Sequence, residues 1–300
     1  MPSWNDILTE VQDSTNTSDS VRRKYLEQLQ NETGRNVIIY YSGWLDKPNL
    51  GGLTEFHVRD TDKNGFMSAV HGLDRDRGLD LILHTPGGDA AATESIVYYL
   101  RQMFETDVRA IVPQIAMSAG TMIACACDQI VMGEHSSLGP IDPQIGGYAA
   151  HGILEEFRNA KDEINNNPSN AAVWQPIIGK YNPTLIGECR KAIAWTENMV
   201  TDWLKSGMFS EDDNPEDRAE EVVNELADHA LQKSHRRHIS PTKAEEIGLD
   251  VLKLESDDDL QEAVLSVHHA ALLTFTQTAA VKIIENHDGA ATIRSVAVNG

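Results

Sequence analysis

The sequence predicts an α/β protein, and three observations carry that expectation. Apolar runs of strand length recur along the chain, each is followed by a turn and a segment with helical spacing, and two of the turns are rich in glycine or other small residues. Alternation of this kind is the pattern of parallel strands joined by crossover helices.

The elements follow in order. A polar stretch at 13–20 reads as a linker, and residues 19–32 as a helix behind the Ser18-Asp19 cap, together forming an N-terminal arm over 1–35. A strand at 36–41 opens the core, and 63–73 reads as the first crossover helix. The run 79–83 has the length and flanks of a strand buried on both faces. Pro86-Gly87-Gly88 then forces a turn before the helix expected over 90–104. A third strand is expected over 109–113 and a fourth over 129–132. Residues 151–170 are charged and asparagine-rich, broken by Asn165-Asn166-Asn167-Pro168. They read as an insertion, placed at about 148–182, which either covers a site or is a surface excursion. Helices are expected over 183–204 and 215–231, and a helical repeat runs from 258 to 285, followed by a polar tail expected to be disordered. The resulting partition is an arm over 1–35, a core domain over 36–255 and a C-terminal helix with its tail over 256–300.

Two turns carry chemistry. In Leu81-Ile82-Leu83-His84-Thr85-Pro86-Gly87-Gly88-Asp89 a helix start leaves backbone N–H groups unpaired where glycine allows close approach, so the Gly88 N–H can receive a developing oxyanion. In Ile115-Ala116-Met117-Ser118-Ala119-Gly120-Thr121 small neighbours permit a tight strand-to-helix elbow that exposes the Ser118 hydroxyl, with the Ala119 N–H as the second donor. Each turn alone is ordinary: one is α/β punctuation, the other a helix N-cap. In this order, about thirty residues apart and followed by Gly139-Pro140-Ile141-Asp142-Pro143-Gln144, they become specific.

With that third motif, and with His235-Arg236-Arg237-His238-Ile239-Ser240-Pro241, the chain resembles the Clp-protease and signal-peptide-peptidase superfamily of serine peptidases, and more narrowly the serine dehydrogenase proteinase family, over about 36–252. The resemblance implies a Clp/crotonase-like fold of repeated β-β-α units with helical extensions, peptide hydrolysis and homo-oligomers. The Clp triad itself is absent, because Asp142 stands where Clp subunits carry histidine and Arg236 where they carry aspartate. The swapped order of the narrower family implies Ser118 as nucleophile, Asp142 as the orienting acid and His235 as base, an exchange that a triad defined by roles tolerates.

Several rivals accompany this assignment. Asp142 between Ile141 and Pro143 also suits a plain turn, and His235 lies in a basic run that also suits a solvated loop. His238 competes locally for the base, and His135 more weakly. A serine–lysine dyad would use Lys180, which precedes a helix as the lysine does in signal peptide peptidases; Lys161, among Glu155, Glu156, Asp162 and Glu163, reads as solvated. A silent scaffold or peptide-binding module is the rival from another class, and a coenzyme-A-binding crotonase-like enzyme ranks last because the Ser118 elbow has no role in it.

The resemblance implies a protein or peptide substrate, and composition disfavours other partners. With 25 Lys+Arg against 46 Asp+Glu the net charge is −21, which disfavours nucleic acid and anionic membranes. No apolar run approaches the roughly 18 residues of a membrane span, and no basic-then-apolar leader opens the chain, so the expected location is the cytoplasm. Three cysteines give no disulfide framework, and no metal-ligand spacing or nucleotide-binding P-loop is present, so no cofactor or metal is expected.

Overall fold

The structure, a computed structural model, describes residues 4–13, 17–227 and 237–296. Its strands are β1 (Asn36–Ser42), β2 (Leu79–His84), β3 (Val108–Val112), β4 (Ile115–Ala116), β5 (Gln129–Met132), β6 (Ser137–Leu138), β7 (Gln144–Ile145), β8 (Tyr148–Ala149), β9 (Val251–Lys253), β10 (Ala280–Asn286) and β11 (Ala291–Ser295). Seven of them form one sheet in the order β11-β10-β1-β2-β3-β5-β9. β1, β2, β3, β5 and β9 run parallel, and β10 and β11 pair antiparallel at one side.

The apolar runs are strands because both faces of the sheet are covered. Alternation along β1 sends Ile38 and Tyr40 into one apolar layer and Val37, Ile39 and Tyr41 into the other; β2 divides Leu79, Leu81 and Leu83 from Ile82 in the same way. The helices are α1 (Trp4–Gln12), α2 (Ser18–Thr33), α3 (Asp62–Val70), α4 (Ala90–Phe104), α5 (Ala119–Cys125), α6 (Ala150–Asn166), α7 (Ala171–Ile178), α8 (Leu185–Ser206), α9 (Pro215–Ala227), α10 (Pro241–Ile247) and α11 (Asp258–Gln277). The first layer is closed by side chains of α3, α4, α5, α8, α9 and α10, among them Phe66, Ile96, Met122, Leu204, Val222 and Ala244. The second is closed by α2 and α11 through Leu26, Leu29, Val264, Val267 and Ala271. Each such leucine or isoleucine, fully buried, contributes about 1.5–3 kcal/mol.

Local signals set the helix ends. Thr17 caps α2 by accepting from the Ser20 N–H, and Gly34 at φ 69° ends it in the left-handed conformation. Asp89 caps α4 by accepting from the Ala92 N–H at 2.8 Å. The asparagine-rich breaker at 165–168 ends α6, with Asn167 in extended conformation.

Two expectations are corrected. The helix predicted through 285 stops at Gln277 and its last residues form β10, while the supposed tail supplies β11 to the central sheet. Lys282 and Glu285 make β10 look like a helical surface in sequence, yet both are buried against partners distant in the chain. The charged insertion, whose secondary structure the sequence left open, is mostly helical, as α6 and α7. Residues 228–231, the expected end of the helix from 215, lie outside the described residues. Among the described residues no helix is long and apolar enough to cross a membrane.

A short second tier stands on the carboxyl ends of the parallel strands. β4 pairs with β6, and isolated bridges join Thr85 to Ala116, Leu138 to Ile239 and Val58 to Gly88. This tier positions the candidate site.

Candidate active site

Ser118 follows directly from β4 and Met117. Its backbone lies at φ 51°, ψ −114°, one of two non-glycine residues among those described with positive φ. A serine there is strained, and the surroundings hold it in place: Gly120 N–H donates to Met117 O at 2.7 Å, and Met122 N–H to Ser118 O at 3.0 Å. The Thr121 hydroxyl donates to Ala116 O at 2.9 Å and accepts from Gly139 N–H at 2.9 Å, tying the elbow to the loop that carries Asp142. Gly120 lies against Thr85, whose Cγ2 would be 2.5 Å from any Cβ at that position. The small residues of the motif are thus a packing requirement of the elbow.

The glycine turn lies alongside. Gly87 has φ +92°, and a Cβ on it would fall 2.7 Å from the Ser118 Cβ and 2.9 Å from Ala119 N. Gly88 runs against Val58, where a Cβ would sit 2.3 Å from Val58 N. Among the described residues neither the Gly88 N–H nor the Ala119 N–H, at the first position of α5, has an acceptor. Two free amides, on the residue after Gly87 and on the residue after Ser118, thus belong to the cleft of the serine, an arrangement able to bind an oxyanion formed at Ser118.

Ser118, Gly88 and Asp142 line one cleft of about 760 Å³, together with His57, Asp89, Met122, Ile141 and Trp195. Asp142 is buried, with Gln144 Nε2 donating to its Oδ2 at 3.0 Å. The Ser118 hydroxyl has no hydrogen-bond partner in the described structure, and His235 lies outside the described residues. His238 is exposed and lines a neighbouring cavity of about 650 Å³ with His135, Trp44, Leu45 and Met117. Lys180 is exposed and lines a third cavity, beside Tyr148, Glu156 and Tyr181, and is not among the residues lining the Ser118 cleft. Lys161 is likewise exposed on α6.

Two cleft residues escaped sequence reading. His57 lies between buried Phe56 and Val58 and, with Pro86, borders both the Ser118 cleft and the neighbouring cavity. Partial burial, helped by the Lys282 ammonium, lowers its pKa and favours neutral imidazole. Trp195 on α8 is 41% exposed and forms a wall of the cleft. The apolar-polar-apolar order of Phe56, His57 and Val58 is a signal for the first; for Trp195 only its place on the polar side of a helical repeat was available.

Among the described residues no group of three or more His, Cys, Asp or Glu side chains could hold a metal ion. Cys125 and Cys127 are buried, and burial raises their thiol pKa values, Cys125 to about 12, which keeps both protonated and inert.

Comparison with known proteins gives a family. The family described as ClpP-like SDH-type serine proteinase matches residues 8–269. The chain is 32% identical to the uncharacterized protein MJ0137 of Methanocaldococcus jannaschii over 231 residues, 77% of this chain and 73% of that one. It is 30% identical to the uncharacterized protein MJ1495 of the same organism over 230 residues, 77% and 71% of the two chains.

Proposed function

Since the chain belongs to the ClpP-like SDH-type serine proteinase family, we propose that it hydrolyses peptide bonds through an acyl-enzyme on Ser118. The observation that carries this reading is the strained elbow at Ser118 flanked by the free amides of Gly88 and Ala119.

In the first half-reaction Ser118 Oγ bonds to the scissile carbonyl carbon while its proton passes to a base, and the carbonyl oxygen becomes an oxyanion held by the two N–H groups. Collapse breaks the C–N bond, and the base returns the proton to the leaving amine. Water then repeats the sequence and frees Ser118. We assign the base to His235 and its orientation to Asp142, in the swapped order. Burial of Asp142 in the cleft of Ser118 supports the acid's role. A lysine base at position 180 lacks such support, because a general base must come within about 3 Å of the nucleophile and Lys180 faces another cavity. A protein or peptide substrate, a cytoplasmic location and a homo-oligomeric assembly complete the proposal.

The test is intact-mass detection of a covalent adduct with a fluorophosphonate probe on wild type, Ser118→Ala, Asp142→Asn, His235→Ala and Lys180→Met. Labelling that needs Ser118 and His235 and survives in Lys180→Met is the expected result. Loss in Lys180→Met with retention in His235→Ala would move the base to the lysine, and no adduct in folded wild type would overturn the peptidase assignment.

A further inference from the structure

Lys282 is an unusual residue for the middle of β10. Its side chain is 1% exposed, and its ammonium donates to Asp62 Oδ2 at 2.7 Å and to the His57 carbonyl at 2.6 Å. Asp62, fully buried, also accepts from the Tyr40 hydroxyl at 2.7 Å and from the Arg59 N–H at 3.1 Å. The backbone on both sides of Val58 is thereby fixed from beneath, at the carbonyl of the residue before it and the amide of the residue after it.

Val58 in turn holds the glycine turn. Its N–H donates to Gly87 O at 2.8 Å and its carbonyl accepts from Asp89 N–H at 3.0 Å, so the two bonds bracket Gly88. Gly88 lies flush on Val58, with no room for a Cβ. Its own N–H is left free and is one of the two amides assigned above to the oxyanion.

We propose that Lys282 and Asp62 act as a positioning pair for the oxyanion-binding amide of Gly88, through His57, Arg59 and Val58. The inference rests on the reading of Ser118 as nucleophile and extends it to the C-terminal strand. The same strand supplies its own control. Three residues on, Glu285 is also fully buried, paired with Arg22 and Arg23 of α2, and it makes no bond to the glycine turn. Both pairs serve packing in the sheet. Only one is bonded toward the site.

The experiment measures fluorophosphonate labelling rates, and kcat and KM for p-nitrophenyl butyrate hydrolysis, below the lowest Tm of the set. The proteins are wild type, Ser118→Ala, the double variant Lys282→Met with Asp62→Asn, Tyr40→Phe and Glu285→Gln. The double variant removes the pair without stranding a buried charge. Its labelling rate and kcat are expected to fall about 10²-fold with KM changed less than about twofold, the signature of a misplaced donor and not of lost substrate binding. Glu285→Gln is expected to lower Tm and leave both rates at the wild-type level. Where the double variant does not fold, Tyr40→Phe decides: slowing by about threefold or more supports the pair, since Asp62 loses one of its anchors, and an unchanged rate overturns it. A folded double variant with wild-type rates, or an equal loss in Glu285→Gln, overturns the proposal while Ser118-dependent labelling of wild type leaves the peptidase reading intact. Wild type that does not label at Ser118 overturns both.

Discussion

The two ends of the parallel strands are built in opposite ways. At the amino ends, Asp80 of β2 is fully buried and fully engaged: Arg35 Nε and Arg109 Nε each donate to its Oδ1 at 2.9 Å, and Arg109 Nη2 to its Oδ2 at 2.8 Å. Arg35 continues to Asp107 Oδ1 at 2.7 Å and to the carbonyls of Leu79 and Asp107. Gly78 lies so close under this cluster that a Cβ would fall 2.3 Å from Asp107 Oδ2. At the carboxyl ends Ser118 holds a strained backbone and two amides stay unpaired. Polar groups at one end satisfy each other; at the other, two amides have no acceptor among the described residues. The closed end cross-links β1, β2 and β3, the last two of which lead into the glycine turn and the elbow, so the strain at Ser118 is carried by strands that cannot splay below it.

If that division holds, the two ends respond to substitution in different measurements. Ser118→Ala is expected to lower turnover by about 10⁶-fold with Tm within a degree or two, as loss of a nucleophile does in analogous enzymes. Steady-state hydrolysis and thermal unfolding on the same sample check both halves. Asp80→Ala is expected to do the reverse. Two guanidinium groups lose their buried partner, at a cost of about 3–5 kcal/mol in unfolding free energy, while the labelling rate of the folded fraction stays at the wild-type value. Urea unfolding followed by labelling at low temperature reads it, and a folded Asp80→Ala protein that labels slowly would show the two ends to be coupled.

Gly87→Ala sharpens the comparison from the site's side. The added methyl would contact the Ser118 Cβ and the Ala119 amide, and a φ of +92° disfavours any side chain. Turnover is expected to fall about 10²- to 10³-fold, the loss typical of a disabled oxyanion donor. Gly72, also at positive φ but with open space around it, is the control: Gly72→Ala carries the backbone strain without the collision and leaves turnover unchanged.

How much of this was legible in the sequence follows the same line. The strands at 36–41, 79–83 and 129–132, the α4 helix and both motif turns were readable because apolar period and glycine placement are local properties. β10 was not. Its Ala280-Val281-Lys282-Ile283-Ile284-Glu285-Asn286 carries two charges whose burial depends on Asp62, Arg22 and Arg23, more than 200 residues earlier, and no window along the chain contains both partners. The placement of Ser118 near Gly88 and Asp142 followed from motif order; the link from β10 to the site, through Lys282 and the His57 carbonyl, is a contact of the folded chain alone.

Acid is expected to act on the carboxyl end through buried histidines. His84, the last residue of β2, has Nδ1 at 3.1 Å from Ser42 O and Nε2 at 2.9 Å from Gln114 Oε1, stacks on Tyr41 and meets the tilted rings of Trp44 and His268. Burial lowers its pKa to about 4, against the pull of the two oxygens toward the charged ring, and burial also lowers that of His268, with help from neighbouring histidines. Both are neutral in the folded chain, whereas an unfolded imidazole takes a proton near pH 6.5. Between those values the unfolded state binds more protons. Stability is therefore full above about pH 6.5 and falls as the pH drops toward 4, by about 3 kcal/mol for His84 alone. The slope of unfolding free energy against pH measures it, and His84→Gln, which gives up the titrating ring, should flatten that slope between pH 6.5 and 4. An unchanged slope would place the acid sensitivity elsewhere and remove the buried histidines at the end of β2 as the acid-labile part of the site's foundation.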